Sequence, residues 1–224
     1  MIATTTSASF RRGLRDTLPL APPIGLFGIV FGALAVQAGL SPLLAVLCSL
    51  LVVSGSAQMT MVALLASGTG PVLLATTGLA LRHLPMSATL SEMLGDAPLR
   101  RRLQLAWVLV DESFGLTVVA ANRGEPDLVA FKTASDLVLY STWLTTTVVG
   151  ALLGGRLDSE MLGLGIIFPL VFLGLAASVL RTRSQWATAV LAVIAALVAI
   201  VVLPPAWQVS GAAIAAAIIG SRVR

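Results

Sequence analysis

Apolar runs alternate with short polar breaks along nearly the whole chain. Eight runs stand out, at residues 18–38, 42–66, 71–94, 103–121, 133–153, 161–180, 186–203 and 207–219. The breaks carry turn chemistry: Gly39-Leu40-Ser41-Pro42, Ser67-Gly68-Thr69-Gly70-Pro71, Gly124-Glu125-Pro126-Asp127, Gly154-Gly155 and Pro204-Pro205. A helix rises about 1.5 Å per residue and the hydrocarbon slab of a bilayer is about 30 Å thick, so roughly 20 apolar residues cross it. The last run is short for a span and is expected to tilt or to pack against its neighbour. The pattern predicts an all-α, polytopic membrane protein of six to eight apolar segments. Residues 18–224 form one transmembrane domain behind a polar lead at 1–17, whose Ser/Thr-rich start is read as disordered.

Composition narrows the class further. Of 224 residues, 57% are hydrophobic and 11% charged, and the mean hydropathy is +0.98. No soluble domain of this size has use for so much apolar surface. The net charge of +4 and pI near 10.6 do not point to nucleic acid, because no basic stripe interleaved with aromatics is present. One cysteine, Cys48, excludes an intrachain disulfide, and one histidine with one cysteine leaves no metal-ligand set and no cofactor. Phe10-Arg11-Arg12-Gly13-Leu14-Arg15 reads as a cytoplasmic anchor before the first span rather than a twin-arginine signal, since no small-x-small cleavage site follows.

Simple crossings throughout, with the N-terminus cytoplasmic, put Arg100-Arg101-Arg102 outside, against the positive-inside tendency. If 42–66 dips in and returns, the triple arginine moves inside; Ser54-Gly55-Ser56-Ala57-Gln58 offers a break for such a dip. A second dip at 133–153 brings Arg181, Arg183, Arg222 and Arg224 inside as well. Sliding the chain by 87 positions agrees, matching Arg15 with Arg102, Phe27-Gly28 with Phe114-Gly115, Ser54 with Ser141 and Gly68 with Gly155. The corresponding architecture is two parallel repeats of span, broken segment and span, at 15–96 and 102–181, followed by a C-terminal hairpin at 186–219. Full crossings, with inverted repeats, are the alternative.

Charges inside apolar runs carry the candidate chemistry. Arg82-His83 falls near the middle of 71–94 and Asp111-Glu112 near the middle of 103–121. A charge at mid-bilayer costs about 2.5–3.5 kcal/mol or more, so such groups are paired and face a cavity or another helix. On a continuous helix His83 shares a small, polar stripe with Thr76, Ala80, Ser87 and Ser91, and Asp111 shares one with Gln104, Gly115 and Asn122. His83 and Asp111 are therefore placed on the wet side, and Arg82 with Glu112 as a buried structural pair; one network of all four that only fastens the helices is the structural alternative. Histidine is the side chain whose unperturbed pKa lies near working pH, so His83 is the natural candidate for a proton carrier beside a carboxylate. Ser54, Ser56 and Gln58 at the break, and Ser113 beside the carboxylates, add hydroxyls, an amide and unwound backbone for an anionic ligand group. Trp107 and Trp143 are candidates for the pocket wall and Trp186 and Trp207 for the interfacial belt. Arg123, Glu125, Asp127 and Lys132 read as a solvated loop.

The strings Ser54-Gly55-Ser56-Ala57-Gln58, Leu81-Arg82-His83-Leu84 and Asp111-Glu112-Ser113-Phe114, with Ile24-Gly25-Leu26-Phe27-Gly28, resemble signature segments of the AzlC-type branched-chain amino-acid permeases. The likeness is specific between about residues 18 and 116. Beyond that it thins: Gly165-Ile166-Ile167-Phe168-Pro169 lacks the acidic residue expected before Phe-Pro. The resemblance implies a large subunit in the bacterial inner membrane that exports or exchanges branched-chain amino acids together with a small hydrophobic AzlD-type partner. A proton-coupled transporter and not an enzyme is the reading that follows. Its rivals are an intramembrane hydrolase with Ser56 as nucleophile and His83 as base, and a membrane subunit that transports nothing itself.

Overall fold

The turn signals end helices where the sequence places them. A computed structural model describes residues 2–95, 97–154 and 182–204, together with 211, 215 and 218. Among the described residues are ten α-helices: α1 (Ile2–Thr17), α2 (Ala21–Gln37), α3 (Pro42–Leu51), α4 (Gly55–Leu64), α5 (Thr69–Ala80), α6 (His83–Met93), α7 (Leu99–Trp107), α8 (Asp111–Asn122), α9 (Leu128–Gly154) and α10 (Arg183–Val202). Thr6–Gln37, Leu128–Gly154 and Arg183–Val202 are long and apolar enough to cross a membrane. The chain divides into two compact units, residues 1–58 with 80–156, and 59–79 with 157–224.

The first unit is built on α9. Its 27 residues rise about 40 Å. The α1–α2 rod, joined through one turn of 3-10 helix at Leu18–Leu20, runs along α9 in the same direction. Contacts advance together: Thr6 reaches Asp127, Thr17 reaches Ser135, and Gln37 reaches the carbonyl of Gly154. Small residues allow this. A Cβ on Gly32 would lie 2.6 Å from the backbone nitrogen of Ala151, so the α2 and α9 backbones meet where no side chain intervenes. The turn at Gly39, with φ +98, then folds α3 back along α2 and α9. Ser41 accepts from the Leu44 nitrogen at 3.3 Å and Pro42 opens the helix.

The N-terminal lead is a helix and not a disordered tail. Arg12 pairs with Glu125 at 2.7 Å, Ser9 and Thr17 are fully buried, and Thr17 donates to Ser135 Oγ at 2.9 Å. Its polar side chains meet polar positions at the start of α9, which a Ser/Thr-rich composition alone does not reveal. The segment at 133–153, expected to dip, lies within the continuous α9. Its five threonines and two serines are accommodated because several back-bond into the helix, as Thr145 does to the Ser141 carbonyl at 2.7 Å. A second broken segment equivalent to 42–66 is therefore missing there. The remainder of the second repeat unit lies outside the described residues, as do 156–160, Phe168-Pro169, Arg181, Trp207 and nearly all of the last apolar run.

Three other apolar runs are interrupted. The run at 42–66 breaks at residues 52–54, that at 71–94 at residues 81–82, and that at 103–121 at residues 108–110. Val52 and Val110 are extended, with ψ 93 and 158. Valine is stiff at χ1 and loses little by leaving a helix. The expected continuous crossings at 71–94 and 103–121 are thus pairs of shorter helices. In the second unit, α10 starts with a capping box in which Thr182 accepts from the Gln185 nitrogen at 3.2 Å and Gln185 accepts from the Thr182 nitrogen at 3.0 Å. Trp186 is exposed in its first turn.

Candidate functional site

The first break is held at mid-depth of α9. The Tyr140 hydroxyl donates to the Leu50 carbonyl at 2.9 Å, satisfying a backbone acceptor near the end of α3. Trp143 Nε1 donates to Gln58 Oε1 at 3.0 Å and to Ser49 Oγ at 3.1 Å, and Ser49 shares a hydrogen bond of 2.9 Å with Thr147. Gln58 is 1% exposed, and Ser49 and Thr147 not at all. Phe31 stacks on Trp143 with ring centroids 6.0 Å apart. Gly55 completes the fit, because a Cβ there would stand 3.0 Å from the indole ring. Gln58 and Trp143 therefore hold the break in place, while Trp107 is exposed.

Arg82 joins the three breaks. Its Nη2 donates to Ser56 Oγ at 2.8 Å and lies 3.1 Å from Asp111 Oδ2. Ser56 stands in the first turn of α4, Arg82 immediately precedes α6, and Asp111 is the first residue of α8. Three helix N-termini, each the positive end of a helix dipole, are thus tied to one guanidinium. Among the described residues, Arg82 Nε and Ser54 Oγ are the buried side-chain polar atoms without a partner. The Asp111 side chain is 50% exposed, so one face of the pair is open.

The expected pairing is crossed. Arg82 pairs with Asp111 and not with Glu112, because the break at residues 108–110 resets the helical phase on which the face assignment rested. Glu112 is partly buried and enters no ion pair among the described residues. His83 is not joined to Asp111; its Nδ1 lies 3.1 Å from the Ala80 carbonyl. Ser113 faces away from Arg82 and is fully buried against α9. The four expected charges form one ion pair and not a network.

Three residues read as loop surface have specific partners. Glu125 takes a bidentate hydrogen bond from Arg12, which holds its carboxyl below the usual glutamate range. Asp127 caps α9 by accepting from the Ala130 nitrogen at 2.9 Å. Lys132 is buried and pairs with Asp136 at 2.7 Å. The i, i+4 spacing of Lys132 and Asp136 in an apolar run was the available signal for it. Two of the three clustered arginines also have partners. Arg102 donates to the Ala97 and Gly95 carbonyls beyond α6 and to Ser91 within it, and Arg101 donates to Thr133 at 2.7 Å.

Residues 19–157 match the family model described as AzlC protein, a stretch that contains the three breaks, Arg82, Asp111, Lys132 and Asp136. The chain belongs to the AzlC family. It is 30% identical over 198 residues to the Inner membrane protein YgaZ of Escherichia coli (strain K12), covering 83% of this chain and 79% of that protein. It is also 30% identical over 157 residues to an uncharacterized membrane protein of Archaeoglobus fulgidus, covering 70% of this chain and 68% of that one. No solved structure matches. With three candidate spans and an AzlC relative in an inner membrane, the chain is an integral membrane protein.

Proposed function

We propose that this AzlC protein is a secondary transporter of branched-chain amino acids, and that the substrate binds where the three helix breaks meet. The observation that carries the reading is the Arg82 junction, with an unpartnered Nε, an unpartnered Ser54 hydroxyl and a half-exposed Asp111 carboxylate. A zwitterion complements that set. Its carboxylate takes the free donors of Arg82 and Ser54 and the first-turn N–H groups of α4, and its ammonium takes Asp111. Broken helices that present N-termini to a carboxylate are the usual construction of such sites in transporters. Exchange of partners is inexpensive here, because the substrate replaces the Arg82–Asp111 contact with one contact to each group.

Aliphatic selectivity and outward direction rest on the family resemblance, as does action beside a small hydrophobic subunit in the inner membrane; the cytoplasmic N-terminus rests on Arg11, Arg12 and Arg15 before the first span. Val190, Val193, Leu197 and Val201 of α10 are exposed and offer apolar surface for lipid or such a subunit. The hydrolase alternative loses its geometry: Ser56 Oγ is held by Arg82, and His83 is turned to the Ala80 carbonyl.

Counterflow of labelled leucine, valine, isoleucine and methionine into liposomes tests the assignment, with and without the small subunit. Leucine should exchange, while 4-methylpentanoate and isopentylamine, which each lack one charge, should compete at least about tenfold more weakly, as a lost charged contact requires. Equal competition by either analogue contradicts recognition of a zwitterion.

A further inference from the structure

Lys132 and Asp136 sit one turn apart on α9, with side chains 0% and 5% exposed. Lys132 Nζ donates to both carboxylate oxygens, at 2.7 and 2.8 Å, and to Ser113 Oγ at 3.3 Å. Ser113 lies in the first turn of α8, two residues after Asp111. Positions two apart on a helix point about 200° apart, so this one turn of α8 faces Arg82 on one side and Lys132 on the other. The two ion pairs therefore share a helix terminus.

A buried pair is a poor choice for stability alone. Its desolvation offsets most of the attraction, and apolar residues of similar volume often serve as well or better. An ionisable pair inside a span is instead a usual element of ion and proton pathways. Asp136 is eight residues into α9, about 12 Å from its start on a helix of about 40 Å, so it lies inside the span toward its N-terminal half.

We propose that Lys132 and Asp136, with Ser113, form the proton-carrying site of this transporter, coupled to substrate at Arg82 and Asp111 through the first turn of α8. The proposal rests on the transport reading above. Asp136 takes a proton from the aqueous phase on one side and releases it to the other. While it is neutral, Lys132 loses its counter-ion and leans on Ser113 Oγ, which alters the position of the turn that carries Asp111. The other elements packed around the pair are consistent with a local switch. From α7, Arg101 donates to Thr133 Oγ1 and adds positive charge near Asp136. From α8, Ser113 is the direct contact, with Asp111 and Glu112 in the same turn. From α1, Thr17 reaches Ser135, and the charged Arg12, Arg15 and Asp16 precede it on that helix. The helices α2 and α3 contain no charged residue. His83, the sequence-based candidate for the proton, has no carboxylate partner among the described residues.

Liposomes containing the wild type, D136N and the double variant K132M/D136L separate the possibilities. Two readouts are needed: leucine counterflow at equal pH on both sides, and leucine movement driven by a pH gradient. Both variants should keep counterflow within about threefold of wild type and lose at least about 90% of gradient-driven movement, while H83A keeps both. The double variant guards against misfolding, since it leaves no unpaired charge. Gradient-driven movement at the wild-type level in either variant overturns the proposal, and loss of counterflow in both marks the pair as purely structural and overturns it too. A wild type that fails leucine counterflow altogether contradicts the substrate assignment instead, a result distinguishable from any of these.

Discussion

At the scale of single residues, Arg82 holds the most consequential position. Its Nη2 alone meets Ser56 and Asp111, while the planar guanidinium keeps Nε as a further donor; lysine offers a single point charge. R82K is therefore expected to transport almost as poorly as R82Q, with counterflow down at least about tenfold in both and membrane insertion unchanged by surface labelling. Wild-type rates in R82K would mean that charge alone suffices. Trp143 has a different task, as the donor that satisfies Gln58 and Ser49 in the buried break. W143F strands acceptors there at about 1–3 kcal/mol, visible as a lower thermal midpoint of the detergent-solubilised protein. Glu125 supplies the pH dependence. Arg12 lowers its carboxyl below the unfolded value, so the bracket between α1 and α9 is present above the ordinary glutamate range and is lost as pH falls through the lowered value. Thermal midpoints measured across acidic pH should fall less steeply in E125Q than in wild type; parallel curves would remove the bracket from the account.

At the scale of elements, the breaks and the glycine seams decide the geometry. Asp111-Glu112 reads as costly charge in an apolar run, and two acidic residues after Val108-Leu109-Val110 equally mark a helix start. Val52-Val53-Ser54-Gly55 signals a break differently, by β-branched residues followed by small ones, and the break at 52–54 adjoins the expected Ser54–Gln58 string. Periodicity mispaired Arg82, His83 and Asp111 because it presumes continuous helices through those points, although Asp111 does lie on an open face. Lys132 reads as loop surface because the Gly124-Glu125-Pro126-Asp127 turn precedes it closely, but Asp127 caps α9 and starts the helix before Lys132. The seam between α2 and α9 yields a direct test. G32L pushes a side chain into the α9 backbone, at a cost of about 1–3 kcal/mol or more, and should lower the thermal midpoint well beyond that of a leucine placed at Gly70, where a Cβ meets nothing. Similar midpoints for the two would contradict close backbone contact.

At the scale of the whole molecule, composition was enough for the membrane class, and the signature strings for the AzlC family, because both depend on local sequence. What required the fold was partnership: which charge meets which, and that α1 lies on α9. Those contacts join residues more than 100 positions apart in the case of Arg12 with Glu125 and Thr17 with Ser135. The resulting account assigns recognition of the substrate to helix termini gathered at Arg82, and driving force to charge buried on α9. Equilibrium binding of labelled leucine to purified wild type and R82Q tests the first assignment most directly. Saturable binding by wild type, displaced by valine and isoleucine and weakened at least about tenfold in R82Q, is the expected result. Binding of equal strength in R82Q contradicts it.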